Sequence, residues 1–492
     1  MSRLNPYIVL LTLIATLGGL LFGYDTAVIS GAVGSLQAYF IDPRHLSPDA
    51  ASSLLGFVVS SALIGCIIGG LLGGWVSSRI GRKGGLIIAA VLFLISALGA
   101  AAPEFMFAPI GHGGPGYMWN FVGYRIIGGI GVGLASMLAP MYIAEIAPAR
   151  IRGNLVAWNQ LAIIFGMLVI YFVNYGIARA GNSDTWLHTI GWRYMFLSGS
   201  IPATAFLLLL FMVPETPRYL MLKGREDKAR QVLSRLAPSE EGEREIEEIR
   251  ASLSAHHSGR MFSFGALVVF IGVMLSIFQQ FIGINVVLYY APAIFRGMGF
   301  STNASLLQTI VVGAVNLIFT IVAIVTVDRY GRKPLQIIGA MVMAVSMIAL
   351  GTNFLLGGKG MVALASMLVY IAGFAMSWGP VTWVLLSEIF PNQIRGKAMA
   401  VAVAAQWIAN YLVSWSFPIL NNNPYLKKTF HHGFAYWIYG VMSILAALFV
   451  WRLVPETKKR SLEQMEHLWL GTQESVASQG QADEGKLQHP VP

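Results

Sequence analysis

LLGFVVSSALIGCIIGGLLGGWVSSRIGRK, residues 54–83, decides the fold. From Leu54 to Val76 the run carries no charge, and about 20 apolar residues suffice to carry a helix across roughly 30 Å of hydrocarbon. Arg79, Arg82 and Lys83 then arrive together. An apolar stretch of that length, closed by a basic cluster, reads as one membrane crossing with its charged end held on one side. Moving the same window outward gives six crossings, near 7 to 31, 54 to 78, 84 to 102, 120 to 144, 154 to 178 and 192 to 213. Six more follow, near 264 to 295, 303 to 327, 335 to 355, 361 to 386, 397 to 420 and 433 to 454. Between the sets lies a charge-rich segment, Glu215 to Arg260, in which Glu240 to Arg250 alternates acids and bases at helical spacing, as a solvated helix does.

Composition agrees with this reading. Of the 492 residues, 56% are hydrophobic and 11% charged, whereas soluble domains carry about 25% charged residues. The net charge of +10 would suit nucleic acid if Lys and Arg gathered on one exposed face. They recur instead in short clusters between apolar stretches, which makes lipid the partner and excludes nucleic acid. A single cysteine, Cys66, rules out an intrachain disulfide and reads as a small core packer. The first apolar stretch, Tyr7 to Leu21, runs on into Phe22, Gly23, Tyr24 and Asp25, as a retained helix does and a cleaved signal does not.

Loop charges orient the chain. Arg79, Arg82 and Lys83, Arg150 and Arg152, the linker bases, Arg329, Arg332 and Lys333, Arg395 and Lys397, and Lys458 to Arg460 fall in alternate loops. Those loops and both termini are therefore expected in the cytoplasm. The opposite loops hold Arg44, Arg179, Arg296, Lys359, Lys427 and Lys428.

Three markers then repeat in the same order in the two halves: Gly81-Arg82-Lys83 with Gly331-Arg332-Lys333, Glu145 and Arg152 with Glu388 and Arg395, and Pro214-Glu215-Thr216 with Pro455-Glu456-Thr457. Topology alone accounts for the bases but not for the paired acids. Parallel six-helix repeats imply a pseudo-twofold axis along the membrane normal and a site at mid-depth between them. The expected fold is an all-α membrane protein: a six-helix bundle over 1–213, a cytoplasmic helical linker over 214–262, a second bundle over 263–455 and a polar tail over 456–492.

Polar residues inside the spans point to the chemistry. The seventh carries Gln279, Gln280 and Asn285, with Gly283 and Pro292 to weaken the helix. Side-chain amides both donate and accept hydrogen bonds, as recognition of a hydroxylated neutral solute requires. Stranded in lipid each would cost several kcal/mol, so each faces a polar cavity or another helix. Asp25 in the first span and Arg125 early in the fourth are ionisable at depth, expensive enough to be functional, and can pair. Within the spans we find no His, Cys and carboxylate cluster with metal spacing and no nucleophile with its base, so neither a metal nor an enzyme is expected.

The strings Gly-Arg-Lys, Pro-Glu-Thr-Pro-Arg (214–218), Gln279-Gln280, Gly283-Ile284-Asn285 and Pro-Glu-Thr-Lys (455–458) resemble the sugar porter branch of the major facilitator superfamily. Gly128 to Glu145, Val273 to Pro292 and Ser377 to Met399 are similar to its bacterial D-xylose–proton symporters, and the likeness runs over roughly residues 7 to 468. It implies two bundles that alternate between outward-open and inward-open states. By residue match it implies that Gln160, Gln279, Gln280, Asn285, Asn316 and Gln406 hold sugar hydroxyls. Trp383, just past Gly379, would donate its indole N–H, while Phe22, Tyr289 and Trp407 line or gate the cavity. Read without the resemblance, these rings also suit interfacial anchors.

An Asp at position 25 resembles the proton-coupled members, where passive facilitators tend to have Asn. One proton is worth about 2.3 kcal/mol per 100 mV, or roughly a 45-fold sugar gradient. Arg82, Glu145, Arg152, Glu215 and Arg218, with Arg332, Glu388, Arg395 and Glu456, look like a cytoplasmic gate of salt bridges across the bundle ends. Two positions depart from the pattern: Gly199 on the sixth span where a Glu is expected, and Met167 on the fifth where a Gln is. The expected function is thus uptake of a monosaccharide with a proton across a bacterial inner membrane, by a monomer with no other cofactor. Passive facilitation of pentoses or hexoses is the alternative and a sugar sensor a weaker one, since the tail after Pro455 is short and polar.

Overall fold

The computed structural model describes residues 5–148, 151–181, 183–236, 238–254, 261–358, 360–391 and 393–458, with 465 and 469. Arg150, Lys359, Lys459, Arg460 and most of the expected tail lie outside the described residues. Among the described residues every regular element is helical.

Twelve helices are long and apolar enough to cross a membrane, at the expected places. In the first half they are Pro6–Arg44, Pro48–Arg79, Arg82–Ala101, Gly114–Ile146, Arg152–Gly181 and Asp184–Leu210. In the second they are Ala266–Gly297, Thr302–Val327, Arg332–Leu355, Met361–Ile389, Arg395–Asn422 and Phe434–Leu453. The first runs further than its apolar core because a wider turn at Gln37–Ile41 and a tight one at Asp42–Arg44 extend it, burying Phe40 and Ile41. We call the end bearing Arg82 and Arg332 the basic end, and its opposite the far end.

Close packing rests on small residues where helices cross. A Cβ on Gly65 would strike the Ile126 carbonyl, and one on Gly129 the Ala62 carbonyl, so the second and fourth spans touch backbone to backbone. The halves meet where the second span packs on the eleventh, the fifth on the eighth, and the outer part of the first on the outer part of the seventh.

The seventh and tenth spans break near mid-membrane, and a neighbouring side chain serves a carbonyl freed at each break, while the first span stays helical through Val28. Backbone groups in hydrocarbon must be satisfied within the protein. At Val28, where φ and ψ remain helical, the carbonyl accepts from the Gly31 N–H (3.3 Å) and from Asn174 Nδ2 (3.3 Å). At Ile282 it accepts from the Tyr370 hydroxyl (2.7 Å), beside Gly283, whose φ of +91° no β-carbon tolerates comfortably and whose Cα faces the Tyr439 ring. In the tenth span the break falls at Ser377–Gly379, between Met361–Met376 and Pro380–Ile389.

The linker forms three helices, Pro217–Leu222, Glu226–Leu236 and Ser239–Ser254. Arg230 binds Glu226 (2.8 Å) and Glu243, and Arg250 binds Glu226 (2.7 Å). Asn5 caps the first span and donates through Nδ2 to the Arg235 carbonyl (2.9 Å), tying the N-terminus to the linker.

Candidate functional site

The amides of the seventh span form one chain of hydrogen bonds that reaches two other spans. Gln279 Nε2 donates to the carbonyls of Trp378 (2.7 Å) and Gly379 (3.3 Å), serving the break in the tenth span. Its Oε1 accepts from Gln406 Nε2 of the eleventh span (2.7 Å) and from Gln280 Nε2 (3.4 Å). Gln280 Oε1 accepts in turn from Asn285 Nδ2 (2.6 Å), across the Gly283 break. Gln279, Gln280 and Gln406 are buried and Asn285 is half-buried. Gln406 Oε1 is buried without a partner, an acceptor left open.

Aromatic rings flank this chain. Phe22 of the first half lies 5.7 Å from Trp407 of the second, centroid to centroid, beside Gln406. Tyr289 is buried and its side chain hydrogen-bonds Asn410. Trp383 is half-buried in the first turn after the break. Asn316 is buried on the eighth span and Gln160 half-buried on the fifth, each without a hydrogen bond to the chain of amides. The sequence reading missed Trp378, fully buried, whose Nε1 donates to the Gln336 carbonyl (2.9 Å) and whose own carbonyl accepts from Gln279 and from Thr382 Oγ1 (2.8 Å). Its signal was its place directly before Gly379-Pro380.

In the first half Asp25 and Arg125 are paired. Arg125 Nη1 reaches Asp25 Oδ1 (3.0 Å) and Oδ2 (3.1 Å), and Nη2 reaches the Asp25 carbonyl (3.1 Å). The Asp25 side chain is 12% exposed and that of Arg125 1%. An ion pair so enclosed costs more in desolvation than a surface pair returns, and separating its members demands a change of protonation or solvation. A small cavity adjoins it, lined by Leu21, Tyr24, Val28, Phe93, Ala97, Phe196 and Gly199, so Gly199 stands where a longer side chain would face Asp25. Met167 is buried against Gly23 of the first span.

At the basic end the two halves repeat one cluster residue for residue. Arg82 Nη2 binds Glu145 Oε1 (2.7 Å), Thr216 Oγ1 donates to Glu145 Oε2 (2.6 Å), and Glu215 accepts from the Arg82 (3.1 Å) and Lys83 (3.2 Å) backbone N–H groups. Arg332 Nη2 binds Glu388 Oε1 (2.8 Å), Thr457 Oγ1 donates to Glu388 Oε2 (2.6 Å), and Glu456 accepts from the Arg332 (3.2 Å) and Lys333 (3.0 Å) N–H groups. Each acid thus receives the start of a helix, where N–H groups and dipole favour an anion. Both these ion pairs lie within one half. Arg152 is exposed and close enough to the linker's Glu245 to pull that carboxyl down against the burial that raises it. Arg218 is half-buried, and Arg395 donates to the Phe390 carbonyl (3.2 Å).

At the far end, among the described residues, hydrogen bonds join the halves from Trp415 Nε1 to the Ser53 carbonyl (3.2 Å), Asn423 Nδ2 to Asp49 (3.4 Å), Thr302 Oγ1 to Asp184 (3.0 Å) and, deeper, the Tyr171 hydroxyl to the Leu288 carbonyl (3.0 Å). A second buried ion pair escaped the sequence reading. Glu104 meets Arg193 at 2.8 Å, and Arg193 also donates to the Ala101 carbonyl (3.0 Å) and the Tyr39 hydroxyl (3.0 Å). An acid set within the apolar run Pro-Glu-Phe-Met-Phe (103–107) was its signal.

Known proteins share this architecture. A family model described as "Sugar (and other) transporter" matches residues 11–469. The chain is 61% identical over 473 residues to the D-xylose-proton symporter of Escherichia coli K12, covering 94% of this chain and 96% of that one. To the glucose facilitated diffusion protein of Zymomonas mobilis it is 47% identical over 462 residues, covering 93% and 97%. The solved inward-open conformation of the xylose transporter XylE from E. coli superposes with a TM-score of 0.86 at 59% identity, covering 94% of this chain and all of that one. The chain belongs to the sugar transporter family, the sugar porters of the major facilitator superfamily.

Proposed function

We propose that this protein takes up D-xylose together with one proton across a bacterial inner membrane by alternating access, as a monomer with both termini in the cytoplasm. The observation that carries the reading is the enclosed Asp25–Arg125 pair, 3.0 Å apart, in a chain 61% identical to a D-xylose-proton symporter. The two bundles, 1–213 and 263–455, rock about the mid-depth site, joined by the linker 214–262, with the tail from 456 onward.

The amides of Gln279, Gln280, Asn285 and Gln406 hold the sugar, with Gln160 and Asn316 reaching it from the flanking spans. In the present state Gln279, Gln280, Asn285 and Gln406 bond one another, and Gln406 Oε1 waits for a donor that a sugar hydroxyl supplies. Phe22, Tyr289, Trp383 and Trp407 close over the sugar, and Gly379 with its neighbouring break lets the tenth span bend. Because the far end is joined by hydrogen bonds, this is the state that faces the cytoplasm.

Asp25 carries the proton. Deprotonated it binds Arg125; protonated it releases the arginine and frees the first span to move once sugar is bound. Arg82, Glu145, Arg152, Glu215 and Arg218, with Arg332, Glu388, Arg395 and Glu456, gate the basic end, the pairs within each half bracing it as a body while exposed Arg152 and half-buried Arg218 and Arg395 exchange partners as the end opens. A surface pair is worth about 0 to 1 kcal/mol, so the bias comes from the set.

Uptake of labelled xylose and glucose into proteoliposomes, with and without an inward proton gradient, tests the reading. Wild-type protein accumulates xylose above equilibrium and loses the excess when a protonophore is added. Asp25→Asn exchanges xylose downhill but does not concentrate it; accumulation by that variant would overturn the assignment of the proton. A second reading, passive equilibration, is favoured by Gly199, which leaves no second acid facing Asp25 from the sixth span, and predicts uptake indifferent to the gradient.

A further inference from the structure

A carboxylate that gains a proton inside a protein becomes a hydrogen-bond donor, and its new O–H needs an acceptor. Arg125, the partner of the charged form, cannot be one, because a guanidinium has only donors. The acceptor must come from elsewhere around Asp25.

Ser96 of the third span answers that need. Its residue is 1% exposed and its Oγ is buried without a partner. Several buried serines in the spans spend the hydroxyl on their own helix, as Ser30 does on the Ala27 carbonyl (2.8 Å), Ser60 on Gly56 (2.7 Å), Ser61 on Val58 (2.8 Å) and Ser443 on Tyr439 (2.8 Å), whereas Ser276 and Ser305, like Ser96, are buried without a partner. The surroundings of Ser96 say what its hydroxyl is kept for. A Cβ placed on Gly128 of the fourth span would lie against Ser96 Oγ and 3.4 Å from Asp25 Oδ1, so the two oxygens look onto the same small space over a residue without a side chain. Phe93 and Ala97, on either side of Ser96, line the cavity beside Asp25.

We propose that Ser96 is a positioning residue for the proton step: when Asp25 is protonated, its O–H turns from Arg125 and donates to Ser96 Oγ across Gly128. The inference rests on Asp25 as the proton-carrying group. The proton comes from the side open to water and adds to one carboxylate oxygen, the ion pair with Arg125 breaks, and the neutral acid docks on Ser96. On the other side the same proton leaves and the carboxylate returns to Arg125. The arginine meanwhile keeps the Asp25 carbonyl through Nη2 (3.1 Å) and the Phe196 ring (5.4 Å to the centroid), while Nη1 loses its acceptor and Nε already has none.

The ionisable groups that face Asp25 are few. They are Arg125 from the fourth span, Cys66 from the second, Tyr289 from the seventh, and Tyr24 on its own helix, whose hydroxyl is bonded to Ser198 Oγ (2.8 Å). The third and sixth spans present Phe93, Ser96, Ala97, Phe196 and Gly199, none of which titrates.

The test is the pH profile of proton-driven xylose accumulation in proteoliposomes holding wild-type protein, Ser96→Ala, Ser96→Cys and Asp25→Asn. Removing an unpartnered hydroxyl leaves the charged resting state intact and takes the acceptor from the neutral acid, so protonation needs more acid. The midpoint for Ser96→Ala moves to lower pH by about half to one unit, the value of one hydrogen bond. Ser96→Cys, a weaker acceptor, falls between. A midpoint unchanged in Ser96→Ala, with Asp25→Asn unable to accumulate, overturns the role of Ser96 and keeps Asp25. Accumulation by Asp25→Asn overturns the proton assignment itself.

Discussion

At the scale of single residues the site turns on groups that exchange partners. Gln279 donates to two carbonyls and accepts from two amides, so no other residue of the chain of amides has as much to lose. Gln279→Ala strands the Gly379 carbonyl and leaves Gln406 Nε2 without an acceptor. An unmade buried hydrogen bond costs about 1 to 3 kcal/mol, and each 1.4 kcal/mol is a factor of ten, so KM for xylose counterflow rises about tenfold or more. An unchanged KM would remove Gln279 from the site. That these amides, Asp25 and Arg125 lie inside apolar spans was legible in the sequence. Their partners were not. That Gln279 serves the tenth span, or that Glu104 meets Arg193, depends on helix crossings that no local pattern encodes.

At the scale of elements the seventh and tenth spans are each interrupted. Gly283 announces the break in the seventh span, since its φ of +91° suits glycine alone, and Gly379-Pro380 announces that in the tenth. The first span carries no such mark at Val28 and stays helical there, its carbonyl shared between Gly31 and Asn174. Tyr370→Phe takes the donor from the Ile282 carbonyl and keeps the ring. Its thermal midpoint falls by what 1 to 3 kcal/mol represents, roughly a few degrees for a chain this long, and xylose affinity falls with it. A variant matching wild type in both would mean that the break needs no cover.

The linker was legible as a solvated helix and its pH response follows from its charges. Arg230 and Arg250 hold the Glu226 carboxyl below its ordinary value. A depressed carboxyl stabilises fully above the ordinary value of 4.5 and loses that contribution as pH falls through the lower one. Hydrogen exchange in Glu226–Leu236 is therefore flat from pH 8 to pH 5 after correction for intrinsic rates, and rises in more acid solution. A rise already near pH 6 would assign its stability to other groups.

At the scale of the whole molecule the duplicated basic-end cluster is the clearest sign of two related halves. Glu145 with Thr216 and Glu388 with Thr457 match at 2.6 Å in both, from nothing more than the recurrence of Pro-Glu-Thr in the sequence. The conformation was not legible there. Hydrogen bonds such as Trp415 to Ser53 join residues far apart along the chain and exist in one state of a protein whose function requires two. The central claim, that sugar and proton move together, is tested most directly without any imposed gradient. Xylose is added to lightly buffered proteoliposomes and the external pH is followed. The medium is expected to turn alkaline as xylose enters, and Asp25→Asn to abolish the change while xylose still equilibrates. Xylose entry by the wild-type protein with no change in external pH would contradict it.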